Sequence, residues 1–322
     1  MVKKTVAAVG AVLGLLVLAL VVKFYLLSPR LRPAVDVKAP STPEAIARGK
    51  YLIDNVAGCL GCHSQIDETI SGEPVVPGRL GSGRDFGIIP GFPGHVRAPN
   101  LTPDKDTGIG NWTDGELMRA IREGVSKDGH PLFPMMPYGS YAQTLSDADT
   151  LAIVSYLRTL APIKNDPGKM HVDFPVSMFV RAVPAPLDAA PAPEPPETEQ
   201  VARGNWLLTA CSCHDCHDSV DARRQKLPGK TLAGGIEMPI PGKGSVYTAN
   251  ITSDAATGIG SYSDDDLLRV LTEGKGKSGA TLYAMPWRYY GGMTESDKRA
   301  LIAALRKVPA VANVVPAATF SR

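Results

Sequence analysis

Residues 5–22 read TVAAVGAVLGLLVLALVV, eighteen positions without a charge. Lys23 can snorkel, so the apolar stretch extends to Leu27, 23 residues in all, enough to cross a bilayer with some tilt. Beyond it the pattern becomes amphipathic with helical spacing. Thr42-Pro43-Glu44 is a helix start, Thr as N-cap and Pro at the first position, leading through Tyr51 and Leu52. Thr113 followed by Glu116 is a capping-box signature ahead of a face containing Leu117 and Ile121. Ser146 and Asp149 precede Leu151, Val154, Tyr156, Leu157 and Leu160 in the same way. Ser263 and Asp266 lead into Leu267, Leu268 and Leu271; Thr294 and Asp297 lead into Leu301, Ile302 and Leu305. No sustained alternation of strand type competes, so the expectation is small helical domains with long loops.

These elements fall into two copies of one unit. ARGKYLIDNVAGCLGCH (residues 47–63) is matched by ARGNWLLTACSCHDCH (202–217). NLTPDKDTGIGNWTDGELMRAIREG (100–124) is matched by NITSDAATGIGSYSDDDLLRVLTEG (250–274). Each copy then reaches a Met-Pro pair, Met136-Pro137 or Met285-Pro286, at offsets of roughly 150 to 155 residues. The expected organisation is an anchor at 1–28, units at 42–179 and 199–308, a Pro/Ala-rich linker at 180–198 and a tail at 309–322. Composition makes the linker an extended, semi-rigid spacer and the tail an appendage.

The 322-residue chain is long enough for two domains with cores of their own. A net charge of +2 gives no support for a nucleic-acid partner, which needs concentrated Lys and Arg. The aromatic supply is modest (three Trp, ten Tyr, seven Phe), and a large buried cofactor would add the apolar surface that the side chains lack. Lys3 and Lys4 place the N-terminus in the cytoplasm and the rest outside it; Arg30 and Arg32, on the far side, depart mildly from that rule. No small-x-small site follows the apolar run, which favours a retained anchor over a cleaved signal peptide.

The chemistry lies in the cysteines. Cys59-x-x-Cys62-His63 and Cys213-x-x-Cys216-His217 both match C-x-x-C-H, the attachment signature of c-type haem. Two thiols that add to the two vinyl groups of one porphyrin must be close and held by a short turn, and the adjacent His can then ligate the iron. Zinc would need four ligands per site or one four-Cys cluster across the repeat. A thioredoxin-like pair would need a βαβ context, and structural disulfides leave the two histidines unexplained. Duplication and export favour two covalent haems. Five cysteines minus four thioethers leave Cys211, which aligns with Ala57 and reads as a small buried apolar residue or, failing that, as a thiol for an intermolecular disulfide or for mis-attachment during maturation.

A sixth ligand must come from farther along each unit. Met136 and Met285 occupy matched places, and a thioether raises the potential relative to a second His. Met135 competes with Met136 by one residue of slippage. His95 and His130 are alternatives for the first iron, but neither has a histidine counterpart in the second unit. Asn100, Asn250 and the TGIG runs read either as turn chemistry or as loops that satisfy a haem propionate. Arg48 and Arg203 read either as solvated helix residues or as propionate partners.

With these motifs in place the chain resembles a membrane-anchored dihaem cytochrome c with two class I-like domains. The T-G-I-G-x-[WY]-[ST]-D segments and MPYGSYAQTLSDADTLAIVSYLRTL look like the cytochrome subunits of periplasmic alcohol, aldehyde and gluconate-type dehydrogenases. The resemblance implies a mainly α fold packed around haem. It also implies electron carriage on the periplasmic side of the bacterial cytoplasmic membrane, from a dehydrogenase or soluble donor to a membrane oxidase or other acceptor. Those subunits commonly carry three attachment motifs; this sequence has two. A dihaem enzyme, peroxidase-like or thiosulfate-oxidising, would need a displaceable sixth ligand, against which the matched Met-Pro pairs argue. A largely structural or docking haem subunit of a larger complex is the third reading.

Overall fold

The computed structural model describes residues 2–67, 74–89, 91–222, 224–240 and 244–319. Helix α1 (Val2–Val21) continues through a π-helical turn at Val22–Leu26 and is exposed along its length. Among the described residues, Val2–Leu26 is the one helix long and apolar enough to cross a membrane.

The first unit contains α2 (Pro43–Tyr51), a π-helical turn (Leu52–Val56), the short α3 (Cys59–Cys62), α4 (Asp114–Glu123), α5 (Tyr138–Thr144), α6 (Asp147–Thr159) and α7 (Val176–Val180). The second contains α8 (Gln200–Ala210), α9 (Cys213–His217), α10 (Asp264–Glu273), α11 (Trp287–Gly291) and α12 (Glu295–Leu305). The starts follow the cap chemistry. Thr42 accepts from Ala45 N at 3.3 Å, Thr113 and Glu116 close a capping box, and Ser263 and Asp266 close its counterpart.

In each unit the first helix crosses a late one, α2 on α6 and α8 on α12. A glycine sits at each crossing because the backbones nearly touch. A Cβ on Gly49 would stand 1.8 Å from the Ala152 carbonyl oxygen, and one on Gly204 would stand 2.0 Å from that of Ala300.

Three features differ from the helical-domain expectation. Short antiparallel pairs are present, β1 (Arg84–Gly87) with β2 (Gly94–Ala98), joined by β3 (His171–Val172), and β4 (Glu237–Ile240) with β5 (Gly244–Tyr247). Strands of two to five residues are too short to leave a readable alternation. The tail is not an appendage: Asn250 Nδ2 donates to Val311 O at 2.8 Å, and Asn313 Nδ2 donates to Ala233 O at 2.8 Å. It takes the place that residues 163–165 take in the first unit, where Asn100 Nδ2 donates to Ile163 O at 2.7 Å. The linker is strapped down as well. Arg32 donates to Leu187 O at 3.2 Å and Arg203 to Pro195 O at 2.9 Å.

The two units share one contiguous apolar cluster, from Leu52, Ile53, Leu145 and Ile153 through to Leu207, Leu232, Leu271 and Leu301. Their contact is reciprocal: α5 of the first packs on α8 of the second, and α11 of the second packs on the Leu52–Val56 turn of the first. Equivalent residues cross the boundary in both directions. Trp206 Nε1 donates to Thr144 O at 2.8 Å, and Tyr51, which aligns with Trp206, donates its hydroxyl to the Asp297 carboxylate. The halves are arranged as in an isologous dimer.

Candidate haem-attachment sites

Each C-x-x-C-H run forms one helical turn that opens on a left-handed residue. Gly58 has φ 59° and its counterpart Ser212 has φ 56°. Glycine adopts this angle freely; serine there costs about 1–2 kcal/mol, so packing holds the second turn in place. The turn is closed by His63 N donating to Cys59 O at 3.0 Å in one unit and Asp215 N donating to Ser212 O at 3.0 Å in the other.

The histidines show the same geometry twice. His63 Nδ1 lies 2.8 Å from Pro99 O, and His217 Nδ1 lies 2.8 Å from Ala249 O. A carbonyl oxygen only accepts, so Nδ1 carries the proton and Nε2 keeps its lone pair. Burial lowers both imidazoles below the usual pKa and keeps them neutral. A neutral ring oriented through Nδ1, with Nε2 available, is the form that binds a metal.

None of the five cysteines is in a disulfide. Cys59 and Cys213 are half-buried, and burial, with Cys62 and Cys216 adding to it, pushes their thiols up to about 12. Cys62 and Cys216 are exposed. Cys211 is buried in the shared core, and its carbonyl accepts from the Tyr290 hydroxyl at 3.3 Å. Tyr141, the counterpart of Tyr290, donates in the same way to Ala57 O at 3.1 Å. Tyr289, from the second unit, touches the first attachment turn: a Cβ on Gly61 would lie 2.7 Å from its hydroxyl.

Met136 and Met285 are half-buried and pack against the core, whereas Met135 is 48% exposed. Both Met-Pro pairs make one tight turn, Tyr138 N donating to Met136 O at 2.8 Å and Trp287 N to Met285 O at 2.9 Å. The remaining histidines are engaged elsewhere or lie in loops. His95 binds Asp85 at 2.6 Å, His171 binds Asp173 at 3.1 Å and His214 binds Asp218 at 3.0 Å; His130 lies in the 126–130 turn.

The four residues considered for propionate contact are committed to protein partners. Asn100 Nδ2 is shared among Thr107 Oγ1, Ile163 O and Asn165 O, while its Oδ1 accepts from Thr102. Asn250 repeats this with Thr257, Val311 and Thr252. Arg48 binds Asp149 at 2.9 Å, Arg203 binds Asp297, and both reach Glu194. The asparagines therefore tie each unit's TGIG loop to the extended segment that closes it. Sequence reasoning missed the tyrosines at 51, 141, 289 and 290; the available signal was the repeat match of Tyr141 with Tyr290 and of Tyr51 with Trp206.

The donor set fits a covalently held porphyrin. It presents two thiols outside any disulfide on one turn and an adjacent neutral imidazole, twice over. Zinc is less well served, because among the described residues no three His, Cys, Asp or Glu side chains gather into a metal-ligating cluster.

Comparison with known proteins agrees. The cytochrome c family model matches residues 46–161, so this segment is a cytochrome c domain, which implies covalently bound haem c. It is similar to the gluconate 2-dehydrogenase cytochrome c subunit of Pantoea cypripedii, 31% identical over 80% of this chain and 55% of that protein. It is also similar to the fructose dehydrogenase cytochrome subunit of Gluconobacter japonicus, 30% identical over 88% and 56%. A diheme cytochrome c-type protein of Cereibacter sphaeroides is 28% identical over 79% of this chain and 83% of its own length. The chain thus spans little more than half the length of the two dehydrogenase subunits.

Proposed function

We propose that the protein is a membrane-tethered dihaem electron carrier. In this reading Cys59 and Cys62 would hold one haem, with His63 and Met136 binding its iron; Cys213 and Cys216 would hold the other, with His217 and Met285. When bound, each haem would supply a one-electron ferric/ferrous couple. The chain's own residues fix its surroundings. Pro99 and Ala249 carbonyls orient the two imidazoles, and the tight Met-Pro turns present the two thioethers. Tyr141 and Tyr290 brace the attachment turns from the shared core.

The observation that carries this reading is the doubled attachment turn with its doubled Nδ1–carbonyl bond. The Val2–Leu26 helix would tether the carrier with both units on the extracytoplasmic face. Relatives named as dehydrogenase cytochrome subunits support a dehydrogenase donor, with electrons passing on to a membrane oxidase or another acceptor. The interlocked units support exchange between the two centres before electrons leave. Reductive titration with spectra tests the reading. Two haems per chain, both low-spin, support it; one haem, or a high-spin centre that takes cyanide readily, overturns it.

A further inference from the structure

The linker places one carboxylate between two equivalent arginines. Glu194 Oε2 lies 2.7 Å from Arg48 Nη2 of the first unit, and its Oε1 lies 3.5 Å from Arg203 Nη1 of the second. Arg48 and Arg203 occupy matched places in the repeated A-R-G, so the reciprocal packing brings two like charges toward one carboxylate. Each arginine also has an aspartate of its own unit, Asp149 or Asp297, and Asp297 additionally accepts from Tyr51 across the boundary. Glu194 is 24% exposed, Arg48 is 27% exposed and Arg203 is 7% exposed, so this network is partly shielded from solvent. The carbonyl next to it, Pro195 O, accepts from Arg203 as well. A flexible spacer would have no reason to end in such a contact.

We propose that Glu194 is a positioning residue that clasps the two units in register, and so sets the geometry through which they exchange electrons. The second half of this proposal rests on the dihaem reading above. Apolar burial holds the halves together without direction, while a carboxylate shared between two guanidinium groups fixes one relative orientation. Electron exchange between the units moves one electron, oxidising one centre and reducing the other, with no bond or proton changed. Its rate therefore reports their spacing.

The test uses the full-length holoprotein in detergent with Glu194→Gln, which keeps shape and removes charge, and Glu194→Lys, which reverses it. Amide hydrogen exchange in Leu52–Val56 and Trp287–Gly291 should rise by about two- to fivefold in the neutral variant and further in the reversed one. Exchange between the centres after flash reduction should slow while each unit's spectrum stays unchanged. In the parent protein, raising salt should slow it as well, and that salt dependence should vanish in Glu194→Gln. Amide and electron exchange in Glu194→Lys equal to those of the parent would overturn the clasp. A parent protein with no electron exchange between units would instead overturn the reading that the two centres exchange electrons and leave the clasp to the amide measurement.

Discussion

Trp206 Nε1 donates to Thr144 O at 2.8 Å, so a residue of the second unit's first helix satisfies the last carbonyl of the first unit's α5. The donor is buried, and removing it strands an acceptor. Trp206→Phe should cost about 1–3 kcal/mol of stability. Tyr51→Phe, which removes the reciprocal bond to Asp297, should cost a similar amount. Denaturant midpoints measure both, and a loss below a few tenths in each would mean that the units do not dock this way.

The helix crossings make a sharper prediction. Gly49→Ala and Gly204→Ala each push a methyl into a backbone carbonyl and should destabilise by about 1–3 kcal/mol or more. Gly139→Ala is the control: it lies in α5 with open space around it, and alanine there should be neutral or stabilising by about 0.5–1 kcal/mol. Thermal unfolding of the three variants decides the matter, and equal shifts in all would refute the close approach.

Methionine exchange separates the two proposed centres. Met136→Leu and Met285→Leu should each remove one near-infrared methionine-to-iron band and leave the other. Met135→Leu, at an exposed position, should remove neither. Loss of a band on changing Met135 alone would move the first thioether by one residue.

Asp85 gives a pH signature. The Gly87 amide, then His95 and Arg97, hold its carboxyl down at about 2, against an ordinary value of 3.8. A depressed carboxyl contributes stability that is complete above about pH 4 and is lost as pH falls toward 2. Asp85→Asn should flatten that part of the stability–pH curve and lower stability near pH 7, where the carboxylate's contribution is fully present. A curve of unchanged slope between about pH 4 and 2 would count against the cluster.

The helices were legible because their information is local. Thr113 with Glu116, Ser263 with Asp266 and Thr294 with Asp297 each announce a start within four residues, and all three are caps in the structure. The attachment turns were legible for the same reason. The contact between units was not, because Tyr51–Asp297 and Arg48–Glu194 join positions far apart in sequence, and neither pair leaves a period. Asn100 was ambiguous for a related cause. A buried amide can cap a loop or face a ligand, and only its partners at 163 and 165 separate the two.

The reciprocal packing has a consequence for how the two halves stay together. Two separate copies meeting through such a surface would part on dilution, since their pairing would depend on concentration. Joined by a linker of some twenty residues, the halves see each other at a fixed effective concentration that no dilution can lower. One molecule alone keeps both attachment sites side by side.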